Sequence, residues 1–362
     1  MILDSEILSK ISSIKDDDFF YYSPDYLTTL PESAPHIFVV ERLNSIYGLA
    51  IFTKKVESID LFQDPNSLLS QFTSTIRKLW PNFLNLSTIE CGPSMVSGSF
   101  MLFNKGIEPH LKNTYVTLEV IRKSLDIMTK EKADLVVFRD FQEDSPIFAS
   151  FGFRKIPLLD EAILEVKWDT FDHYLASIKS HYRSMIKKDI KKLGDLRVEH
   201  TTSFSEHAKD MFALWTQTQS RSSEYQSNEN ISHGYFYRLS TMTKSSANLV
   251  FKGEKLVGFN VLVRGGNSLY PLWVGIDYKL RNQYALLFNL YYQTIKVAIS
   301  ENMKIIHFGD TTYDLKLRIG CYLKPQFAYC YSRIPFFTHL LEKVSKYLVP
   351  EQVTKKRNIW KV

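Results

Sequence analysis

The chain has 362 residues, a length that favours two domains over one, and its 44% hydrophobic and 14% aromatic content is enough for two packed cores. With 45 basic against 39 acidic residues the formal charge is +6, which permits an anionic ligand or partner without arguing for a dedicated nucleic-acid binder, and no polar block marks disorder. Three scattered cysteines with no CxxC or Cys/His pairing exclude a disulfide framework and a zinc site; no run approaches the roughly 18 apolar residues of a membrane span, and the acidic opening "MILDSEILSKISSIKDDD" has no leader-like apolar core, so a soluble, cytoplasmic protein without metal is expected.

The first structured stretch is "FVVERLNSIYGLAIF", Phe38 to Phe52, two apolar runs around the polar turn Arg42–Ser45, which reads as a β-hairpin. "TLEVIRKSLDIMTKEKA" follows with Leu118, Ile121, Leu125 and Met128 at helical spacing. Then come a buried strand "DLVVF", a polar turn "RDFQEDSP", a short helix "IFASF", Gly152 and a strand near Arg154 to Pro157. A long amphipathic helix is expected over 170–193, with Asp169 or Thr170 as its cap, Gly194 as its stop, and Arg183, Lys187 and Lys191 four apart on one face.

The same order then recurs. "NLVFKGEKLVGFNVL", Asn248 to Leu262, is a second hairpin with Gly258 where the first has Gly48. "LLFNLYYQTIKVAISEN" is a helix, "KIIHF" a strand, "YDLKLRI" a short helix stopped by Gly320, and "FAYCYSRI" the last strand. A duplication in order, without a short fixed period, implies two related domains, 1–166 and 167–362, rather than a solenoid. Between the helix at 170–193 and the second hairpin lies an aromatic cluster, Trp215, Tyr225, Tyr235, Phe236 and Tyr237, with Arg221 and Arg238; it serves either a core and lid or a ligand cleft. The basic end "TKKRNIWKV" reads as a solvated tail.

Three passages carry a family resemblance. "FDHYLASIKSHYRSMIKKDIKKL", "LYPLWVGIDYKLRNQYALLFNLYYQTIKVAISENMKIIHFG" and "YDLKLRIGCYLKP" together resemble tandem GNAT-fold acyltransferases, in particular the Fem-type aminoacyltransferases of peptidoglycan bridges and the BioF2-like acetyltransferase domain. The resemblance implies an α/β (α+β) chain of two GNAT-like domains, each a mixed, mainly antiparallel sheet flanked by helices. It further implies transfer of an acyl group to an amine on a small molecule or peptide. The donor is an acyl-CoA in most of the superfamily and an aminoacyl-tRNA in the Fem-type branch, which makes tRNA an alternative partner. A third reading is a binding protein that kept the fold and lost its donor site.

Such chemistry needs a deprotonated amine, positive charge or N–H donors for the carbonyl oxygen, and a place for the donor's phosphates. Lys316 matches the Fem-type lysine four residues before its glycine, which implies a cation near the reacting ester. Tyr313, one turn earlier, is the candidate proton donor. Asp310 suits either a proton acceptor or the helix cap, with the cap favoured, and His307, inside an apolar strand, reads as a satisfied core histidine. Lys279, Arg281, Gln283 and Asn289 are the cofactor-binding candidates, although "YKLRNQYALL" has no glycine where the superfamily places a glycine-rich phosphate loop. Tyr182, Arg183, Arg221, Trp273 and Arg318 are the substrate-binding candidates. Phe148 and Ser145 stand in the first half where the second has Lys316 and Tyr313, so the chemistry is expected in the second half.

Overall fold

The computed structural model describes residues 9–11, 14, 19–30, 36–58, 68–81, 83, 85–92, 96, 98–99, 101–220, 231–334, 337–339, 341–343 and 357–361. These fall into two compact units. The first takes in the residues up to Leu159 and those between Pro325 and Gln352; the second takes in those between Asp160 and Ser222, between Glu229 and Lys324, and from Val353 onward.

The first unit begins with the expected hairpin, β1 (His36–Arg42) and β2 (Ser45–Ser58). Leu43 and Asn44 both take positive φ, 50° and 60°, the two-residue turn whose twist matches that of the strands it joins. Helix α1 (Leu68–Leu79) leads to β3 (Asn85–Cys91), and β4 (Met101–Phe103) pairs with β2. Helix α2 (Thr117–Lys130) crosses to β5 (Leu135–Phe141), parallel to β3; α3 (Ile147–Ser150) and β6 (Arg154–Pro157) follow. The core gathers Phe52, Phe138, Phe148 and Phe153, and Phe148 stacks on Tyr329 with ring centroids 4.4 Å apart.

The second unit opens with β7 (Glu161–Glu165). The single helix expected over 170–193 is instead two, α4 (Phe171–Ser177) and α5 (Ser180–Lys191). Thr170 caps α4 as expected, its hydroxyl accepting the His173 N–H at 3.1 Å. The break occurs where Ile178 turns extended (φ −91°, ψ 141°) and bridges to Trp360, while the Lys179 N–H donates to the Ile359 carbonyl. The apolar spacing runs on through this point, so periodicity alone cannot see that a distant segment competes for the backbone there.

Beyond the break come β8 (Arg197–Thr201), α6 (Ala208–Gln219), α7 (His233–Ser240) and the meander β9 (Ser245–Lys252), β10 (Lys255–Gly265) and β11 (Ser268–Ile276). Helix α8 (Leu286–Ser300), β12 (Ile305–Gly309), α9 (Tyr313–Arg318) and β13 (Tyr322–Lys324) complete the unit. The sheet order is β13-β7-β12-β11-β10-β9-β8. β11 and β12 are parallel but pair only at Ser268↔Ile305 and Leu269↔Ile306; past those residues the two strands no longer share a ladder.

One assignment differs in kind. β14 (Phe327–Ser332), expected as the last strand of the second repeat, lies in the first sheet, which runs β1-β2-β3-β5-β14-β6. It pairs antiparallel with both β5 and β6. Its side chains are apolar almost throughout, as a strand with neighbours on both edges requires, but the linear order of elements cannot say which sheet receives it. Each unit is thus a mixed sheet flanked by helices, the tandem GNAT-like architecture implied by the sequence.

Candidate functional site

The most site-like part of the second unit lies at the start of α8, just past the end of β11. Asp277 anchors the loop: its carboxylate accepts the Lys279 N–H at 3.0 Å and pairs with Lys255 at 3.1 Å. The loop closes with the Leu286 N–H donating to the Arg281 carbonyl at 3.1 Å. Ala285, the residue before the helix, is left-handed at φ 48°, ψ 42°. The loop has no glycine, and here alanine takes the left-handed backbone that glycine adopts freely, at a cost of roughly 1–2 kcal/mol.

A cavity of about 410 Å³ opens beside this loop, lined by Arg281, Asn282, Ala285 and Phe288, by Asp189 and Lys192 at the end of α5, and by Leu315 and Arg318 on α9. Arg318 lies over the Phe288 ring at 4.1 Å and reaches the Asp189 carboxylate at 3.5 Å. Asp189 also accepts the Tyr292 hydroxyl at 3.3 Å. Burial and the nearby Asp189 carboxylate push the Tyr292 phenol far above its ordinary range, against the pull of Arg318, so Tyr292 stays protonated and donates. Three cations therefore line one cavity with a single carboxylate, Asp189, which lies 3.5 Å from Arg318 and 3.8 Å from Lys192.

The candidate cofactor-binding residues separate. Arg281 lines the cavity. Lys279 and Gln283 are exposed and are not among its lining residues. Asn289 is buried beneath the loop, where its Nδ2 donates to the carbonyls of Asp189 (2.8 Å), Tyr284 (3.0 Å) and Ala285 (3.3 Å), so it fastens the loop to α5. Asp189, Lys192 and Asn282 were not singled out from sequence. Asp189 is the one acid in "KKDIKK", and an acid buried in a basic run was the available signal.

On α9, Lys316 is only 2% exposed and so is no surface lysine. Burial drives the Cys321 thiol well above its ordinary range, and the positive charge of Lys316 opposes that shift. The Tyr313 hydroxyl donates to the Asp160 carbonyl at 2.5 Å, so its proton is committed within the fold. Asp310 is half-buried and does not cap α9: the capping position falls to Thr312, left-handed at φ 53°, with no side-chain cap bond. Two residues of left-handed or turning chain intervene, which moves the Asp310 carboxylate out of capping register.

The substrate-binding candidates are dispersed. Arg183 donates from Nη1 to the Ile178 carbonyl at 3.2 Å, satisfying the acceptor exposed by the α4–α5 break. Tyr182 is half-buried beside His181. Trp273 donates to the Tyr235 hydroxyl at 3.0 Å and meets Trp215 edge-on at 6.0 Å, so it belongs to the aromatic packing between β11, α6 and α7. Arg221 and Tyr225 lie outside the described residues. His307 is half-buried on β12, and its Nδ1 lies 2.6 Å from the Glu161 carboxylate.

Among the described residues no cluster of three or more His, Cys, Asp or Glu side chains could hold a metal ion, and no helix is long and apolar enough to cross a membrane.

Comparison with known proteins agrees with this architecture. The model of the FemAB-like family, described as peptidoglycan biosynthesis/recognition, matches residues 97–360. A putative 8-amino-7-oxononanoate synthase 2 of Mycobacterium tuberculosis is 24% identical over 278 residues, 72% of this chain and 35% of that protein. The chain thus spans about a third of the length of the curated relatives it matches. Among solved structures, FemX aligns with 94% of this chain and 99% of its own at a TM-score of 0.57 and 15% identity. The L-PGS structure from Bacillus licheniformis aligns with 95% of this chain and 97% of its own at a TM-score of 0.54 and 11% identity. At these identities the structural likenesses establish the fold alone.

Proposed function

The chain belongs to the FemAB-like family, and from that premise we propose that it is an acyl or aminoacyl transferase, taking its group from a phosphate-bearing carrier and delivering it to an amine. The observation that carries this reading is the cavity at the start of α8. Arg281, Lys192 and Arg318 line it, beside the left-handed Ala285 that precedes the helix. That combination suits a phosphate or pyrophosphate, each charge-assisted hydrogen bond contributing about 1.5–3 kcal/mol.

In this reading the carrier's phosphates seat at Arg281, Lys192 and Arg318. The acyl arm extends toward the gap between β11 and β12. Lys316 acts from its buried position as a cation that favours negative charge developing on the carbonyl oxygen, since a charge is felt more strongly away from water. Tyr313 holds α9 in place through Asp160 rather than donating a proton. Asp310, half-buried near the same turn and without a capping duty, suits a role in binding the ammonium of the acceptor. Asn289 acts as a positioning residue for the loop.

The carrier is either an acyl-CoA or an aminoacyl-tRNA. The compact cavity and the pyrophosphate-sized cluster of cations favour acyl-CoA; the family description favours an aminoacyl donor and an amine on a peptidoglycan precursor as acceptor. The two are separated by incubating the protein with acetyl-coenzyme A and with alanyl-tRNA and following loss of each. Consumption of neither, together with no calorimetric binding of coenzyme A or tRNA to folded protein, would replace both with a non-catalytic binding role.

A further inference from the structure

We propose that His307 is the group that takes the proton an amine acceptor must lose, with Glu161 as the residue that positions its ring; this rests on the acyl-transfer reading above.

His307 occupies a singular place in the second sheet. The β11–β12 ladder ends at Leu269↔Ile306, so His307 and Tyr270 are the first residues past the point where the strands part. Their rings lie face to face there, 4.6 Å between centroids and 4° from parallel. The neighbours Ile306 and Phe308 are buried, Phe308 against Tyr291 of α8. Alternation along the strand therefore turns His307 to the other face, beside the point where β11 and β12 part.

Glu161 on β7 supports it. The Glu161 carboxylate is 6% exposed and the His307 side chain 20%, with Nδ1 to Oε1 at 2.6 Å. An ionised carboxylate only accepts, so the ring proton sits on Nδ1 and the lone pair on Nε2. No described residue hydrogen-bonds Nε2. A carboxylate placed in a sheet interior is costly unless a partner needs it, and this one is spent on fixing a tautomer. Titratable groups near the pair include Tyr270, stacked on the imidazole, Lys324, cross-strand from Glu161, Tyr322 on β13 and Glu165 on β7, the last paired with Lys167. Burial, then Glu165 and Glu161, push the Tyr322 phenol up, so it remains neutral and does not compete as a base.

The step balances without any further reactant. The acceptor's ammonium gives one proton to His307 Nε2. The neutral amine attacks the acyl carbon, a C–N bond forms, and the C–S or C–O bond to the carrier breaks. The remaining surplus proton on nitrogen leaves with the expelled sulfur or oxygen, and His307 releases its proton to solvent.

The test is single-turnover transfer with acetyl-coenzyme A and alanyl-tRNA as donor probes and n-butylamine and methoxyamine as acceptor probes, at pH 7. Variants His307→Asn, His307→Ala and Glu161→Gln are compared with the parent chain after circular dichroism shows each folded. General-base loss predicts that His307→Asn slows transfer to butylamine by ~10²–10⁴-fold. Transfer to methoxyamine, already uncharged at that pH, is slowed far less, and added imidazole restores part of the His307→Ala rate. Glu161→Gln gives an intermediate loss with unchanged donor binding. A His307→Asn rate within about twofold of the parent, or the same loss with both acceptors, overturns the assignment. A parent chain that transfers from neither donor overturns the acyl-transfer reading itself, and this assignment with it.

Discussion

The guanidinium of Arg318 is held between the Asp189 carboxylate, 3.5 Å from Nη2, and the face of Phe288, 4.1 Å away. A cation fixed on two sides is pre-oriented for an incoming anion, and Asp189 weakens it in proportion to how closely it pairs. Substitutions at the two positions should therefore act in opposite directions. Arg318→Ala is expected to weaken pyrophosphate or coenzyme A binding by roughly 10- to 100-fold, and Asp189→Asn to tighten it by a few-fold. Calorimetry at two salt concentrations checks both; a loss on Asp189→Asn equal to that on Arg318→Ala would move the phosphates elsewhere.

Ala285 sits left-handed at φ 48°, where glycine pays no steric cost. Ala285→Gly should raise stability by about 0.5–1 kcal/mol, the relief of strain less the added freedom of the unfolded chain. Ala285→Val should lower it by more than that. Denaturant midpoints measure both, and a Gly variant less stable than the parent would contradict the strain.

Gly320 has φ +96°, and a Cβ there would overlap the Trp360 ring. Trp360 in turn stacks on Trp168, 5.1 Å between centroids. Gly320→Ala should cost about 1–3 kcal/mol or more, and Trp360→Ala about 3–5 kcal/mol. The double variant should cost less than the sum, because removing the indole removes the clash. Strict additivity in thermal unfolding would mean that the two do not communicate.

In the first unit, Glu90 is buried between Lys55 and Arg139, each 3.2 Å away. Burial alone would raise its carboxyl, but the two cations outweigh that and hold it below its ordinary value. A folded value below the unfolded one means the stabilisation is complete above about pH 4.3 and is lost as pH falls through the folded value. Acid unfolding of the parent should therefore show a limb below about pH 4.3 that is shallower in Glu90→Gln. That variant should also lose about 1–3 kcal/mol at neutral pH. Identical acid limbs would remove Glu90 from the account.

Sequence made some of this legible and not the rest, for physical reasons. The hairpins at Leu43–Asn44 and Gly253 and the duplicated helix–strand–short helix order rest on local patterning, which residues a few apart determine. The break at Ile178 and the placement of β14 depend on partners more than a hundred residues away, Trp360 for one and β5 for the other. The same division holds at the candidate site. Arg281 and Lys316 stood out through their matches to a family pattern. Asp189 and Glu161 did not, because what distinguishes them is burial beside a specific cation or imidazole. His307 was read as a packed strand residue, since strand alternation cannot show that its neighbour across the sheet is a carboxylate.

The position of β14 has a consequence for how the protein is made. β5 and β6 emerge early in translation, yet the strand that lies between them is encoded at 327–332, after the whole of the second sheet. Until then β5 has one edge without its partner and β6 has no strand to pair with, the condition that invites association between nascent chains. Without Phe327–Ser332 the first sheet would lose the strand that joins β6 to β5.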